Sequence, residues 1–592
     1  MKQIFLTGTG SLIFALGTAL LAQSLTPEQI TAEWKAGRTL PASVFDDYQL
    51  PAQRPARNGQ PRNDTGINVL IDLNRTCLFV WLWDYPPQFA QNGFRVAGTH
   101  ATLDTILGEK PLSRVRVKTN DAEPFAWWTP PEFNVVVIPA GSPNQQQFLP
   151  EEIDALKKFV ESGGGVIIIA ARPANADVAE KWSFNQLLGT FGARVEPTSV
   201  RMGARNYAAL ALSNEWESLV AGEQGEVVRA KRTFGKGRVV IVEHDSVLCA
   251  SNSRTADAGQ REEAAKIAEQ RRELVLWAAG GKPPVGGDAT LPQPRYGGGG
   301  IYPDQEMIVD GIVAYYAKNQ IPDLLQVVKE EVPKVSEMLY AWLPSQKPEE
   351  PMMFILTSGS GGGWAVNVRL PKEVGIISDD KHGIIGIFAH EQAHTMRGPQ
   401  NAGGGYGAFP AHDLSGEAHA GWFQGKAWGA FYERDRELSN RNCNSILNDM
   451  EKFLAYDFAK NYQGGGDGYG WTKLWWVWQK LDDKYGPTWY PRWYWVRATR
   501  WHDAVGKRQS WEETIEDMSI AVGEDLFPFF KSIGTTLDKS RFAEVEFQGE
   551  TLKLPIADIG LGPGGKVNLS PIGDYKQPLK KPYGACGDLF TL

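Results

Sequence analysis

His390-Glu391-Gln392-Ala393-His394 decides how the second half of this chain is read. On a helix the two histidines stand one turn apart on one face, where their imidazole nitrogens can reach a single metal ion. Glu391 then projects toward an open coordination position, where a carboxylate can take a proton from metal-activated water. The preceding Gly383-Ile384-Ile385-Gly386-Ile387-Phe388-Ala389 is almost wholly apolar, as a buried helix carrying such a motif should be. The motif therefore predicts a zinc-peptidase-type fold.

Two histidines do not complete a catalytic zinc site, which needs a third protein ligand beside the open position. One known spacing puts Gly three and His six residues after the second histidine, but those positions hold Arg397 and Gln400. The other takes a Glu from a later helix. Ser415-Gly416-Glu417-Ala418-His419-Ala420-Gly421-Trp422-Phe423-Gln424 offers Glu417, with Ser415 as a helix N-cap. The loop Gly398–Pro410 between motif and Glu417 would line a cleft. His412, Asp413 and His419 compete with Glu417, because five of the eight histidines fall between 382 and 419 and not all can be ligands.

The rest of the chain sets the context. At 592 residues it is too long for one ordinary core, and two or three domains are expected. Its 61 basic and 69 acidic residues include no basic block, which disfavours nucleic acid as a partner. Lys2 followed by the largely apolar Ile4–Ala22 reads as a signal peptide over residues 1–24, cleaved near Ala22 or Ser24, with an uncleaved anchor as the alternative. The mature protein is then expected to be secreted or periplasmic, with no further membrane span. The four cysteines suit that compartment. Domain boundaries favour Cys77–Cys249 and Cys443–Cys586 pairs, free buried thiols being the alternative. None has zinc-finger spacing, so a metal site must be built from His and carboxylate.

Residues 25–65 form a polar, Pro-rich lead-in. Over 66–280, apolar runs at Ile67–Ile71, Asn134–Ile138, Val166–Ala170 and Gly237–Val242 read as strands. Helices are expected at Pro150–Glu161 and about 257–278, so the pattern predicts a doubly wound, parallel α/β domain. Residues 281–300 are a Gly/Pro linker. A second domain spans 301–545, with helices expected at Ile312–Lys318 and Asp323–Tyr340, the latter interrupted at Pro333. Strands are expected at Met352–Leu356 and, as an edge, Trp364–Leu370. A tail covers 546–592. Trp471, Trp475 and Trp478 fall on one helical face and read as core. Trp489, Tyr490, Trp493, Tyr494 and Trp495 are denser than a helix face can bury, and their flat surfaces would suit sugar rings.

The run IPAGSPNQQQFLPEEIDALKKFVESGGGVIII (138–169) resembles the class I glutamine amidotransferase-like, or ThuA-like, fold. Catalytic members place a Cys nucleophile on the turn after such a strand. Here that turn is Ala170-Ala171-Arg172-Pro173, so a non-catalytic packing or binding module is expected. The zinc motif, the following Glu417 and the Trp422-Phe423-Gln424 stretch resemble the enhancin/mucinase-like gluzincins (peptidase family M-sixty). Gly468-Tyr469-Gly470-Trp471 and Leu526-Phe527-Pro528-Phe529-Phe530 look like that family's helical C-terminal subdomain. TRP-channel-associated factors also join such halves, and plant basic secretory-type peptidases have similar zinc helices. The family usually has Gly where this chain has Ala393.

The resemblance implies Zn2+ held by His390, His394 and Glu417, with Glu391 as general base. It implies peptide-bond hydrolysis in a protein or glycoprotein substrate, an extended substrate pairing along the edge strand, and an oxyanion stabiliser among Tyr469, His419 and His502. Two other readings stay open: an inactive binding or scaffold protein that keeps the fold, and a closed structural zinc site using His412 or His419.

Overall fold

The computed structural model describes residues 63–396 apart from short breaks, and scattered stretches between 420 and 551, chiefly 470–486, 511–522 and 524–537. Residues 1–62, where the signal peptide and most of the lead-in were expected, lie outside the described residues, as does most of the tail. The fold is α/β, with parallel and antiparallel strands in both large sheets.

The first sheet is assembled from β-branched runs. Its strands are β1 (Asn68–Asp72), β2 (Arg95–Thr99), β3 (Val135–Ile138), β4 (Gly165–Ile169), β5 (Glu217–Ala221), β6 (Val227–Phe234) and β7 (Gly237–Val242). They lie in the order β2-β1-β3-β4-β7-β6-β5. The five strands from β2 to β7 are mutually parallel, whereas β6 and β5 add on antiparallel. The expectation of a parallel sheet thus holds for its core and not for that edge.

Continuous apolar runs suit strands buried on both faces. Val69, Ile71, Val137 and Val240 enter one apolar cluster, and their neighbours Leu70, Val136, Val166 and Ile241 another. Helices α1 (Pro150–Glu161) and α2 (Ala258–Ala279) follow the sequence expectation closely.

The second sheet comprises β8 (Gln305–Val309), β9 (Ile312–Tyr316), β10 (Met352–Thr357), β11 (Gly363–Val366) and β12 (Glu373–Ile377), ordered β8-β9-β10-β12-β11. Two sequence readings are corrected here. Ile312–Lys318 was expected to be helical, but Ile312–Tyr316 is a strand parallel to β10. The run Ile-Val-Ala-Tyr-Tyr is β-branched and aromatic, and too short for a helix to outweigh that preference. The strand directly before the zinc-motif helix is β12, not the edge strand. Its Glu-Val-Gly-Ile-Ile has neither clean alternation nor β-branched residues throughout. The expected edge strand is β11, which pairs antiparallel with β12 and has no other strand partner among the described residues. The break in the next helix falls before Val332. It separates α3 (Pro322–Glu330) from α4 (Val332–Trp342), with Pro333 near the start of the second, where its missing N–H costs nothing.

The two sheets share an apolar layer. Tyr302, Tyr315, Met353, Ile355, Trp364 and Ile377 belong to the same cluster as Val69 and Val240 of the first sheet. The opposite face of the second sheet, with Phe354, Leu356, Val374 and Ile376, joins a further cluster. That cluster includes α5 (Lys381–Thr395), α6 (Gly470–Tyr485), α7 (Trp511–Val522) and α8 (Phe527–Ser532).

In that cluster Trp489, Tyr490 and Trp493 are fully buried, and Trp489 stacks on Trp493 at 6.0 Å. These three are core, which corrects the reading of them as a sugar-binding surface. Trp478 is core as expected, 1% exposed. Cys249 is a buried free thiol, so the Cys77–Cys249 pair is corrected as well. Burial pushes that thiol's pKa up, against the opposing pull of Arg271. Cys77, Cys443 and Cys586 lie outside the described residues.

Ligands of open α/β sheets enter at the carboxyl ends of the strands. Here that edge carries a buried ion cluster. Arg75, just past β1, donates to Asp72 at 2.6 Å and pairs with Glu152 of α1, while its guanidinium lies 3.6 Å from the Phe148 ring centroid. Glu152 also accepts the amides of Leu103 and Leu149, each at 2.9 Å. Residues of the second half lie against the same edge: Asp304 accepts from Thr102 and Thr105 at 2.6 and 2.9 Å, and Asn319 from Asn74 at 3.1 Å. Removing one partner of a buried ion cluster leaves an uncompensated charge. Arg75→Met should therefore lower unfolding free energy by about 3–5 kcal/mol, read from urea titration.

Candidate metal centre

Helix α5 is fixed at both ends before its motif is reached. Asp380 is the N-cap, its carboxylate accepting the Gly383 amide at 2.8 Å. At the other end the ammonium of buried Lys372 donates to the Thr395 carbonyl at 3.1 Å, a cation where the helix dipole is negative. The Thr395 hydroxyl also donates to the Gln392 carbonyl at 2.7 Å.

Between the caps, Ile384, Ile385, Phe388, Ala389 and Ala393 are fully buried, with Phe388 edge-on to Phe354 at 5.5 Å. This apolar stripe explains which motif positions are left for chemistry. Gln392 points away, its amide donating to the Ser336 carbonyl at 3.4 Å. Ala393, in place of the Gly of the resembling family, fits within the packed core.

His390, Glu391 and His394 share the remaining side, and their candidate ligand atoms all lie within 4.8 Å of one another. The imidazole rings are 4.8 Å apart between centroids. Glu391 and His394 are each 5% exposed, and His390 is half-buried. His390 Nδ1 sits 3.2 Å from Gln424 Oε1, a contact from the helical stretch around 420–427 whose Trp422 and Phe423 are core. An amide oxygen there favours the tautomer with its proton on Nδ1, which directs the Nε2 lone pair elsewhere.

Two imidazoles on one helix face, one of them oriented by an amide acceptor, are part of the donor set that zinc takes in proteins, with the Glu391 carboxylate beside them. The residues present therefore fit a zinc ion. Gln424 follows the apolar Trp422 and Phe423 seven residues after Glu417, and nothing in its sequence position assigns it this role.

Strand β11 passes close to Glu391. A Cβ built on Gly363 would lie 2.6 Å from Glu391 Cγ and 2.7 Å from Ile387 Cγ2, so only glycine permits this approach. Glu417, His412, Asp413, His419, Tyr469 and His502, together with the Gly398–Pro410 loop, lie outside the described residues.

No protein-family model and no curated protein matches the chain. Among solved structures, the mmIFT52 N-terminal domain aligns with 35% of this chain and 97% of its own, at 10% identity and a TM-score of 0.22. That likeness is too loose to bear on fold or function.

Gly363→Ala places a methyl group inside a filled contact, and overpacking of this kind costs about 1–3 kcal/mol. Chemical denaturation of the variant should show a loss in that range. An unchanged midpoint would mean that β11 stands clear of Glu391.

Proposed function

We propose that this chain is an exported zinc-dependent metallopeptidase of the gluzincin type, related to the enhancin/mucinase-like enzymes and acting on protein or glycoprotein substrates. The observation that carries the reading is the convergence of His390, Glu391 and His394 within 4.8 Å on one side of a helix whose other side is core. In this reading the first half is a glutamine amidotransferase-like domain without a nucleophile, and the second a zinc-peptidase domain with a helical C-terminal part.

His390, His394 and Glu417 would hold the ion. Bound zinc would polarise the scissile carbonyl and lower the pKa of water. Glu391 would accept the proton of the attacking water and return it to the leaving amine. Gln424 holds the His390 ring through Nδ1. The edge of β11 that has no strand partner among the described residues offers backbone groups to an extended peptide by strand addition, alongside Glu391. Because Trp489, Tyr490 and Trp493 are buried, they contribute no sugar platform, and a glycoprotein substrate rests on the family resemblance.

The purified mature protein should contain about one zinc per chain, removable by chelation. Glu391→Gln should keep that zinc and lose peptide hydrolysis by about 100-fold or more. Absence of zinc after reloading would overturn the reading, as would full hydrolysis by Glu391→Gln. Gln424→Ala should weaken zinc affinity by about 10- to 100-fold, measured by competition with a chelating dye.

A further inference from the structure

Strand β11 is held from both faces by successive residues, and the second face belongs to the upstream half of the chain. Side chains alternate along a strand, so if Gly363 faces α5 then Trp364 faces away from it. Trp364 is 3% exposed and lies opposite Gly375 of β12 in antiparallel register. A Cβ on Gly375 would fall 2.0 Å from the Trp364 ring, so the indole lies directly on that glycine's backbone. Its ring N–H donates to Glu373 at 2.8 Å, and the other oxygen of Glu373 accepts the Tyr302 hydroxyl at 3.0 Å.

Beyond the indole lies His100, which immediately follows β2 of the first sheet. Its ring stacks on Trp364 at 6.1 Å between centroids with 28° between planes. The His100 amide donates to the Ile301 carbonyl at 2.8 Å, and the Ile301 amide to the Gly98 carbonyl at 2.7 Å. These bonds stitch the end of β2 to the start of the second half. Burial pushes His100 down to about 4, so an uncharged imidazole meets the indole at neutral pH.

We propose that His100 is a positioning residue for the candidate active site: through Trp364 it seats the edge strand β11 against Glu391. The inference rests on the peptidase reading for its catalytic consequence. The seating itself follows from packing. An edge strand has backbone partners on one side only, so its displacement perpendicular to the sheet is limited by what its side chains lean on. Trp364 and Gly363 are adjacent, and a shift of the first moves the second away from Glu391. The α/β half thereby contributes to the placing of β11 beside Glu391.

The test uses the full mature chain, comparing wild type with His100→Ala and with His100→Phe, which keeps a flat ring. Amide hydrogen exchange at residues 363–366 should be about tenfold faster in His100→Ala, while that of 381–395 and zinc content stay as in wild type. On a peptide that wild type cleaves, KM should rise about threefold or more with a smaller change in kcat, and His100→Phe should restore both. Should His100→Ala not fold, His100→Gln, which has no flat ring, is read in the same way.

Exchange at 363–366 within about twofold of wild type would overturn the proposal, whatever the activity. Faster exchange in a protein whose wild type hydrolyses no peptide would instead overturn the peptidase reading, and with it the catalytic role of His100. Faster exchange with KM and kcat both unchanged would also remove that role while leaving the peptidase reading in place.

Discussion

Three polar side chains can converge on one side of a helix only when the helix cannot rotate or slide, and burial of the opposite side supplies that constraint. Ile384, Ile385, Phe388, Ala389 and Ala393 are all inaccessible to solvent. Each large member contributes about 1.5–3 kcal/mol of transfer free energy. Rotating α5 by one residue, about 100°, would expose several of them and bury the imidazoles in their place. The caps add smaller amounts, of order 1 kcal/mol each, but fix the axial position by tying Gly383 to Asp380 and Thr395 to Lys372. The electrostatics of His390, Glu391 and His394 thus depend on a hydrophobic seam that contains none of them.

How much of this could be read from the residues follows from which interactions are local. Helix α5 was legible because its signal, an apolar run leading into two histidines four apart, is contained within its own turns. Strands β1, β3, β4 and β7 were legible because a strand buried on both faces shows an unbroken apolar run, here Val69–Ile71, Val135–Ile138, Val166–Ile169 and Val239–Val242. Strand β9 was misread because Ile312–Tyr316 carries no period of its own; its state is set by pairing with β8 and β10. The aromatic run from Trp489 was misread for a related reason. A helix face cannot bury so many rings by itself, yet Trp422 and Phe423, from a distant part of the sequence, supply the other wall. Of the site, the motif was readable, but the approach of Gly363 to Glu391 and the contact of Gln424 with His390 are not. Both are long-range contacts with no periodic signature.

The boundary between the halves shows the same distinction. Composition marks 281–300 as a linker, and a linker suggests two bodies that fold apart. The packing is different. Tyr302, Tyr315, Met353, Ile355, Trp364 and Ile377 share one apolar cluster with the first sheet, and Asp304 and Asn319 bond to residues at its carboxyl edge. Cutting the chain at the linker would expose this layer on both sides, together with polar groups that are paired only across it.

The same packing bears on what the first sheet contributes to the molecule. A sheet of this kind offers its carboxyl edge as a ligand crevice, and here that edge is taken up by the Arg75–Asp72–Glu152 cluster and by side chains of the second half. The charges of that cluster are paired with one another and buried. What the layer still provides is rigidity. His100 extends from its second strand to Trp364, one residue from the glycine that touches Glu391. A mobile loop in that position would let the edge strand drift by ångströms, enough to weaken the register in which an extended peptide pairs with it. A buried, many-stranded sheet holds it in place. What the first sheet supplies to β11 is thus packing, through the one ring of His100 that meets Trp364.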